Sequence, residues 1–159
     1  MNDERQEGQC RCGAVRFAAE GRPLVTIACH CRGCQRMTGS AYSLSSVYPS
    51  GQFQVTQGEP VLGGLKKAIQ HFFCPSCMSW MFTRPEGMDE FVNVRSTMFD
   101  NPEAHRPYVD TYVGEALPGA QTGAVKRFET VPEADQYGPL IGAYAQWSES
   151  PDTLEEEAR

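Results

Sequence analysis

Seven cysteines gathered into three short runs constrain this chain more than any other feature. Cys10 and Cys12 form Cys-x-Cys. Cys29, Cys31 and Cys34 form Cys-x-Cys-x-x-Cys, and Cys74 and Cys77 form Cys-x-x-Cys; none follows Cys77. An odd count at such tight spacing, behind an opening Met-Asn-Asp-Glu-Arg-Gln-Glu with no apolar run, argues against a disulfide framework and for thiolate metal ligands. A closed zinc site takes four sulfur or nitrogen ligands in a tetrahedron, commonly two from each of two distant turns. Joining Cys10 and Cys12 to Cys74 and Cys77 completes one such site. It leaves Cys29, Cys31 and Cys34 as a three-ligand set, the pattern of a catalytic zinc with an open position. Two other partitions stay open: Cys10 and Cys12 could join two members of the triad, or His30 or His71 could close the triad as a fourth ligand. A redox reading of Cys74-Pro75-Ser76-Cys77 lacks the surrounding βαβ pattern it needs.

The donor set limits the chemistry. Three thiolates make a zinc site formally anionic, so a bound water is acidified less than in the neutral-histidine sites where its pKa falls to ~7. A soft, sulfur-rich site is better matched to an incoming thiol, which it holds as thiolate. The expected substrate is therefore a small thiol or thioether. Arg32 and Arg36, inside and just after the triad, are candidate contacts for a substrate carboxylate, with plain solvation as the alternative. Thr38 and Ser40, flanking Gly39, either cap a turn or donate to substrate. His30 is the titratable group nearest the triad and is expected not to be a metal ligand.

Hydrophobic residues make up 40% of the chain and charged ones 21%, which fits a folded globular protein of one domain. No apolar stretch approaches the ~18 residues of a membrane span. The net charge of −6 excludes a typical nucleic-acid surface, although residues 1–84 hold nine Lys or Arg against five acids. Much of the acidity lies in residues 148–159, expected to be a disordered acidic tail, with residues 1–147 as a single zinc-binding domain. The expected compartment is the cytoplasm.

Short segments rich in β-branched and aromatic residues, bounded by Gly, Pro, Ser or Asp, predict eight strands: 14–18, 24–29, 41–48, 53–56, 68–73, 80–83, 91–94 and 108–113. Helix is expected only as a turn over 35–38 and a segment over 140–147. The Gly- and Pro-rich stretch 114–139 reads as a long surface excursion or a flap over a pocket. Phe72, Phe73, Trp80 and Phe82 are expected in the core, with one of them free to line a pocket. His105, in a Pro-flanked loop, is expected to be solvated.

The run Gly8-Gln9-Cys10-Arg11-Cys12-Gly13-Ala14-Val15-Arg16-Phe17, the run Cys29-His30-Cys31-Arg32-Gly33-Cys34-Gln35-Arg36 with Gly39-Ser40, and Phe73-Cys74-Pro75-Ser76-Cys77 resemble the glutathione-dependent formaldehyde-activating enzymes and their centromere protein V relatives. The resemblance covers residues 8–112. It implies a mainly β fold of small coiled antiparallel sheets around a structural zinc, shared with a zinc-binding chaperone of small GTPases. It places the structural zinc on Cys10, Cys12, Cys74 and Cys77, and the catalytic zinc on Cys29, Cys31 and Cys34. The implied activity is carbon–sulfur lyase chemistry on an adduct of glutathione and formaldehyde, with a small thiol as partner and no nucleic acid or membrane. A non-catalytic zinc domain that binds a protein is the alternative. Two positions depart from the family pattern: Met78 stands where Gly is usual after the last cysteine, and His71 where Arg is common. At position 78 a left-handed backbone would be easy for Gly and strained for Met.

Overall fold

The computed structural model describes residues 5–65 and 68–150. Among these the chain forms two sheets and two α-helices. The smaller sheet joins β1 (Gln6–Gln9), β2 (Arg16–Ala19) and β5 (Phe53–Gln57) in the order β1-β2-β5. The larger is built from β3 (Val25–Cys29), β4 (Ser43–Pro49), β6 (Val61–Gly63), β7 (Ile69–Phe73), β8 (Trp80–Pro85), β9 (Phe91–Arg95), β10 (Val109–Thr111) and β11 (Lys126–Arg127). Its order is β11-β10-β3-β4-β9-β8-β7-β6. Helix α1 (Arg32–Thr38) follows β3, and α2 (Tyr137–Glu149) closes the described chain.

The mainly β class is as the sequence implies, and each of the eight expected strands overlaps an observed one. Three further strands, β1, β6 and β11, are short and pair at or near sheet edges. The larger sheet is not wholly antiparallel. β10 lies parallel to β3, with Asp110 opposite Ala28 and Thr111 opposite Cys29, and β11 lies parallel to β10. Such pairing joins segments 82 residues apart in register Ile27–Val109, so no hairpin signal announces it.

Strand alternation gives the larger sheet two apolar faces. Tyr48, Val92, Val94, Met81 and Phe82 pack with Phe17, Phe53 and Phe99 in the core that lies against the small sheet. Phe17 meets Phe53 and Phe99 with ring centroids 5.5 and 5.1 Å apart. Val25, Val47 and Val109 instead pack with Tyr108, Leu140, Tyr144 and Trp147, which seats α2 on the opposite side. Helix α2 runs through Ser148 and Glu149, so the expected tail boundary at 148 falls inside it; residues 151–159 lie outside the described residues. The stretch 114–139 runs beside β10 and carries little regular structure. Thr122 donates to Asp110, and the Phe128 and Tyr112 amides bond to Asp110 and Thr130 carbonyls.

His105 departs from expectation: it is fully buried. Its ring stacks on Phe99 at 4.0 Å, and its nitrogens bond to Ser46 Oγ at 2.8 Å and Gln6 Oε1 at 2.7 Å. Three polar neighbours close to one another, including Ser96 against Ser46, make a buried site for a neutral ring, which position in a loop did not reveal. Burial holds its pKa down to about 4. The unfolded chain takes up this proton near ~6.5, well before the folded chain does. The stability His105 contributes is therefore complete above ~6.5 and is lost as pH falls from there toward the folded value, by up to about 3 kcal/mol. Urea unfolding across this range should show a shallower acid loss for His105→Gln than for the parent, whatever their stabilities at neutral pH.

Candidate metal centres and substrate groove

Each knuckle is a hairpin turn. Cys10 and Cys12 sit between β1 and β2, where the Cys10 amide bonds to the Val15 carbonyl at 3.0 Å and the Val15 amide donates to Cys10 Sγ at 3.3 Å. Gly13 takes φ +77° in this turn. Cys74 and Cys77 sit between β7 and β8, where the Cys74 amide reaches the Ser79 carbonyl at 3.0 Å and the Met78 amide reaches the Cys74 carbonyl at 2.9 Å. The two turns meet. Arg11 N donates to Ser79 Oγ at 3.2 Å, and the four sulfurs lie within 4.8 Å of one another. Cys10 and Cys12 sulfurs are 3.6 Å apart and Cys12 and Cys74 sulfurs 3.8 Å apart. A tetrahedron of thiolates at ~2.3 Å from a zinc ion has edges of about 3.8 Å, whereas a disulfide needs about 2.05 Å. The set fits a metal ion, zinc among those that sulfur favours.

Cys29, Cys31 and Cys34 form a second cluster, again within 4.8 Å. Cys29 ends β3, Cys31 precedes α1, and Cys34 lies in its first turn, where its amide donates to Cys31 Sγ at 3.4 Å. Gln35 anchors this helix. Its amide donates to the carbonyls of His30 at 2.6 Å and Glu115 at 3.0 Å, while the Glu115 carboxylate accepts from Arg32 N at 2.7 Å. Cys29 is pulled down to about 5 by the hydrogen bond with Cys34, aided by the Cys31 backbone and the Thr111 hydroxyl. Cys34 is pushed up by the same contact with Cys29 and by burial, and Ser43 opposes the rise.

Neither candidate histidine belongs to a cluster among the described residues. His30 is fully buried, with Nε2 3.1 Å from Asp110 Oδ1, and its backbone amide bonds to the Thr111 carbonyl at 3.0 Å. Asp110, itself buried, also accepts from Thr122 Oγ1 at 2.7 Å. This pair ties the triad loop to β10. His71 packs edge-on against Trp80 at 5.0 Å, with Nδ1 2.9 Å from Thr83 Oγ1. The observed grouping is thus four sulfurs and three, the first of the partitions considered from spacing.

A groove of about 570 Å³ opens beside chain neighbours of both clusters, although none of the cysteines is itself among the described residues that line it. One side is the end of α1 and the start of β4, with Met37, Thr38, Ser40 and Ser43; the other is Met78, Ser79 and Trp80 beyond the last cysteine. Ser43 stands opposite Cys29 in the β3–β4 register and against the Cys34 thiol. Thr38 lines the groove and donates to the Cys34 carbonyl at 2.8 Å, the capping role of the two expected. Of the four aromatics expected in the core, Trp80 reaches the groove, which Tyr42 also lines, while Phe82 is core. No residue of 114–139 lines it. Arg32 and Arg36 are exposed on α1 and do not line it either; Arg32 Nη1 donates to Gln35 Oε1 at 2.8 Å. The charged side chain that does line it is Arg95, at the end of β9. A lone arginine in an apolar strand carries no motif, so sequence offered no signal for it.

Two sulfur-only clusters on adjoining hairpin turns and a helix start, within a mainly β frame, define a small β protein able to hold two metal ions. The family model for glutathione-dependent formaldehyde-activating enzyme matches residues 5–115, more than two thirds of the chain, and the chain belongs to that family. No curated protein matches it significantly. Among solved structures, the crystal structure of a Rhodobacter sphaeroides protein is 19% identical, with a TM-score of 0.48 over 76% of this chain and 98% of that one. Among the described residues no helix is long and apolar enough to cross a membrane.

Met78 takes the left-handed conformation expected of its position, with φ +59°. That backbone costs a residue with a Cβ roughly 1–2 kcal/mol, which glycine avoids at some loss of unfolded-state entropy. Met78→Gly should therefore raise stability by about 1 kcal/mol and Met78→Val should lower it. Denaturant midpoints measured on metal-replete protein check both.

Proposed function

We propose that the protein is a zinc-dependent carbon–sulfur lyase, working in either direction on a small thiol adduct of the S-hydroxymethylglutathione type. In this reading Cys10, Cys12, Cys74 and Cys77 hold a structural zinc, and Cys29, Cys31 and Cys34 hold a catalytic one. The observation that carries it is the contrast between the clusters: four sulfurs make up the first, while three make up the second, whose strand neighbour Ser43 lines a groove. Zinc bound by three thiolates supplies a soft Lewis acid that favours the thiolate form of a thiol bound in its fourth position. In the synthetic direction a C–S bond forms between the thiol sulfur and the aldehyde carbon, and the thiol proton ends on the former carbonyl oxygen. No oxidant or reductant is required.

The chain's own residues hold and shield the reactants. The end of β3 and α1, pinned by Gln35 and by the His30–Asp110 pair, fix the three sulfurs against rotation. Fixing two reactants in one orientation removes much of the entropic part of the barrier. Met37, Met78 and Trp80 give the groove apolar walls that limit water, and Thr38, Ser40 and Thr97 give it hydroxyls for an aldehyde or hydroxymethyl oxygen. Arg32 and Arg36 are assigned the outer end of a peptide thiol, where a distant carboxylate reaches α1. Residues 1–147 form the working domain, the acidic stretch 148–159 takes no part, and a reducing cytoplasm keeps the seven thiols available.

The purified protein should contain two equivalents of zinc, and dialysis against a mild chelator should remove one, more slowly when glutathione is present. Replacing Cys29, Cys31 and Cys34 together by Ser should leave a folded protein with one zinc and no exchange between glutathione, formaldehyde and their adduct by NMR. Replacing Cys10 and Cys12 should unfold it, since structural zinc contributes about 10–16 kcal/mol of apparent binding, as large as a whole domain's ~5–15 kcal/mol of stability. Two zincs that both resist chelation and ignore thiols would point to closed structural sites and a protein-binding role. Unfolding of the triple triad variant would overturn the partition.

A further inference from the structure

Arg95 is 6% exposed, yet among the described residues it has no ion-pair or hydrogen-bond partner, and its Nε is buried without one. The buried carboxylate of Asp110, also on the larger sheet, is by contrast matched, with His30, Thr122 and the Arg127 guanidinium around it. An unpaired buried guanidinium is costly, because it has given up water without a carboxylate in return. What lies under it is the face of Trp80, 4.0 Å from Cζ to the ring centroid. That contact offsets part of the cost and leaves the N–H edge of the fork free. Arg95 is the only charged side chain among the described residues lining the groove, and Cys34 and Cys29 lie near enough for their thiolate charge to favour its cationic form. Burial lowers its pKa to about 10, which leaves it cationic at neutral pH.

We propose that Arg95, laid flat on Trp80, is the seat of a substrate carboxylate, which narrows the substrate class to thiols that carry a carboxylate within reach of the sulfur. The inference rests on the thiol reading of the triad and adds the second point of attachment. A guanidinium fork receives a carboxylate in two parallel hydrogen bonds, so it fixes orientation as well as charge. With the sulfur at the triad and the carboxylate at Arg95, a substrate is held at two points. A counter-charge to the thiolates would not by itself need an unpaired fork, since no hydrogen bond joins Arg95 to any sulfur among the described residues.

The protein has two tryptophans, so in a Trp147→Phe background Trp80 fluorescence reports on the ring beneath Arg95. Zinc-replete protein is titrated with 3-mercaptopropionate, 2-mercaptoethanol and propionate. The expected result is saturation by 3-mercaptopropionate at a concentration at least about ten-fold lower than by 2-mercaptoethanol, a difference of about 1.4 kcal/mol. Arg95→Met should bring the two thiols to within about two-fold by loss of the anionic one alone, and Arg95→Lys should keep part of the preference. Zinc content and thermal unfolding are measured on each variant, and the parent's preference stands as a test even where a variant fails to fold. Equal affinity of the parent for both thiols overturns the carboxylate seat and leaves the thiol reading intact. Arg95-dependent binding of propionate as tight as that of 3-mercaptopropionate supports the seat and overturns the thiol reading. A preference that survives in folded Arg95→Met, or no response to any of the three, overturns the seat.

Discussion

The meeting of two hairpin turns through four sulfurs is the contact on which the rest of the molecule depends. One turn belongs to the small sheet and the other to the larger, so the Cys10, Cys12, Cys74 and Cys77 cluster joins two sheets that strand pairing leaves separate. Its effect on the core is direct. Cys10 and Cys74 are buried within the same apolar cluster as Phe17, Phe53 and Phe82, so the sulfurs and the rings fix each other's positions. Four thiolates brought this close repel unless a cation neutralises them, which couples the packing of the sheets to metal binding.

The triad is held by different means. Its sulfurs sit where β3 gives way to α1, and what steadies that corner is polar: Gln35 reaching back to His30 and Glu115, and His30 set against Asp110 on a parallel strand. The long stretch after β10 thereby gains a purpose beyond connection. By supplying Thr122 and Arg127 to Asp110, and Glu115 to α1, it braces the triad from behind while leaving the groove side open.

Much of this was legible in the residues, and the boundary of legibility has physical causes. Cysteine spacing is covalently local, and seven ligands have few ways to divide, so spacing offered the four-and-three grouping first but left two other partitions open until the fold brought the sulfurs together. Strands such as Val25–Cys29 and Phe91–Arg95 announce themselves by β-branched residues alternating between two buried faces. β1 and β11, with sequences QEGQ and KR, bury little and owe their conformation to a neighbour's backbone, which leaves no mark in composition. The same holds for His105. A histidine between prolines and glutamate resembles a solvated loop residue until Ser46, Gln6 and Phe99 are brought around it from distant segments. Met78 is the opposite case, where the local turn dictated the backbone and the side chain had to accept it.

Acceptance of that strain has a consequence for the groove. Met78 projects from the turn that carries Cys77 and, with Met37, places flexible thioethers on the walls of the groove that Arg95 also lines. Glycine at 78 would relax the backbone and remove one wall. Unbranched methionine side chains adapt to ligands of varied shape, so apolar contact along the walls discriminates weakly. In the proposed reading specificity then falls to the two fixed groups: the sulfur cluster held by the His30 corner, and a guanidinium held flat on Trp80. A ligand anchored as proposed, by sulfur and by carboxylate, is selected by the separation of those two atoms more than by the shape of what lies between them.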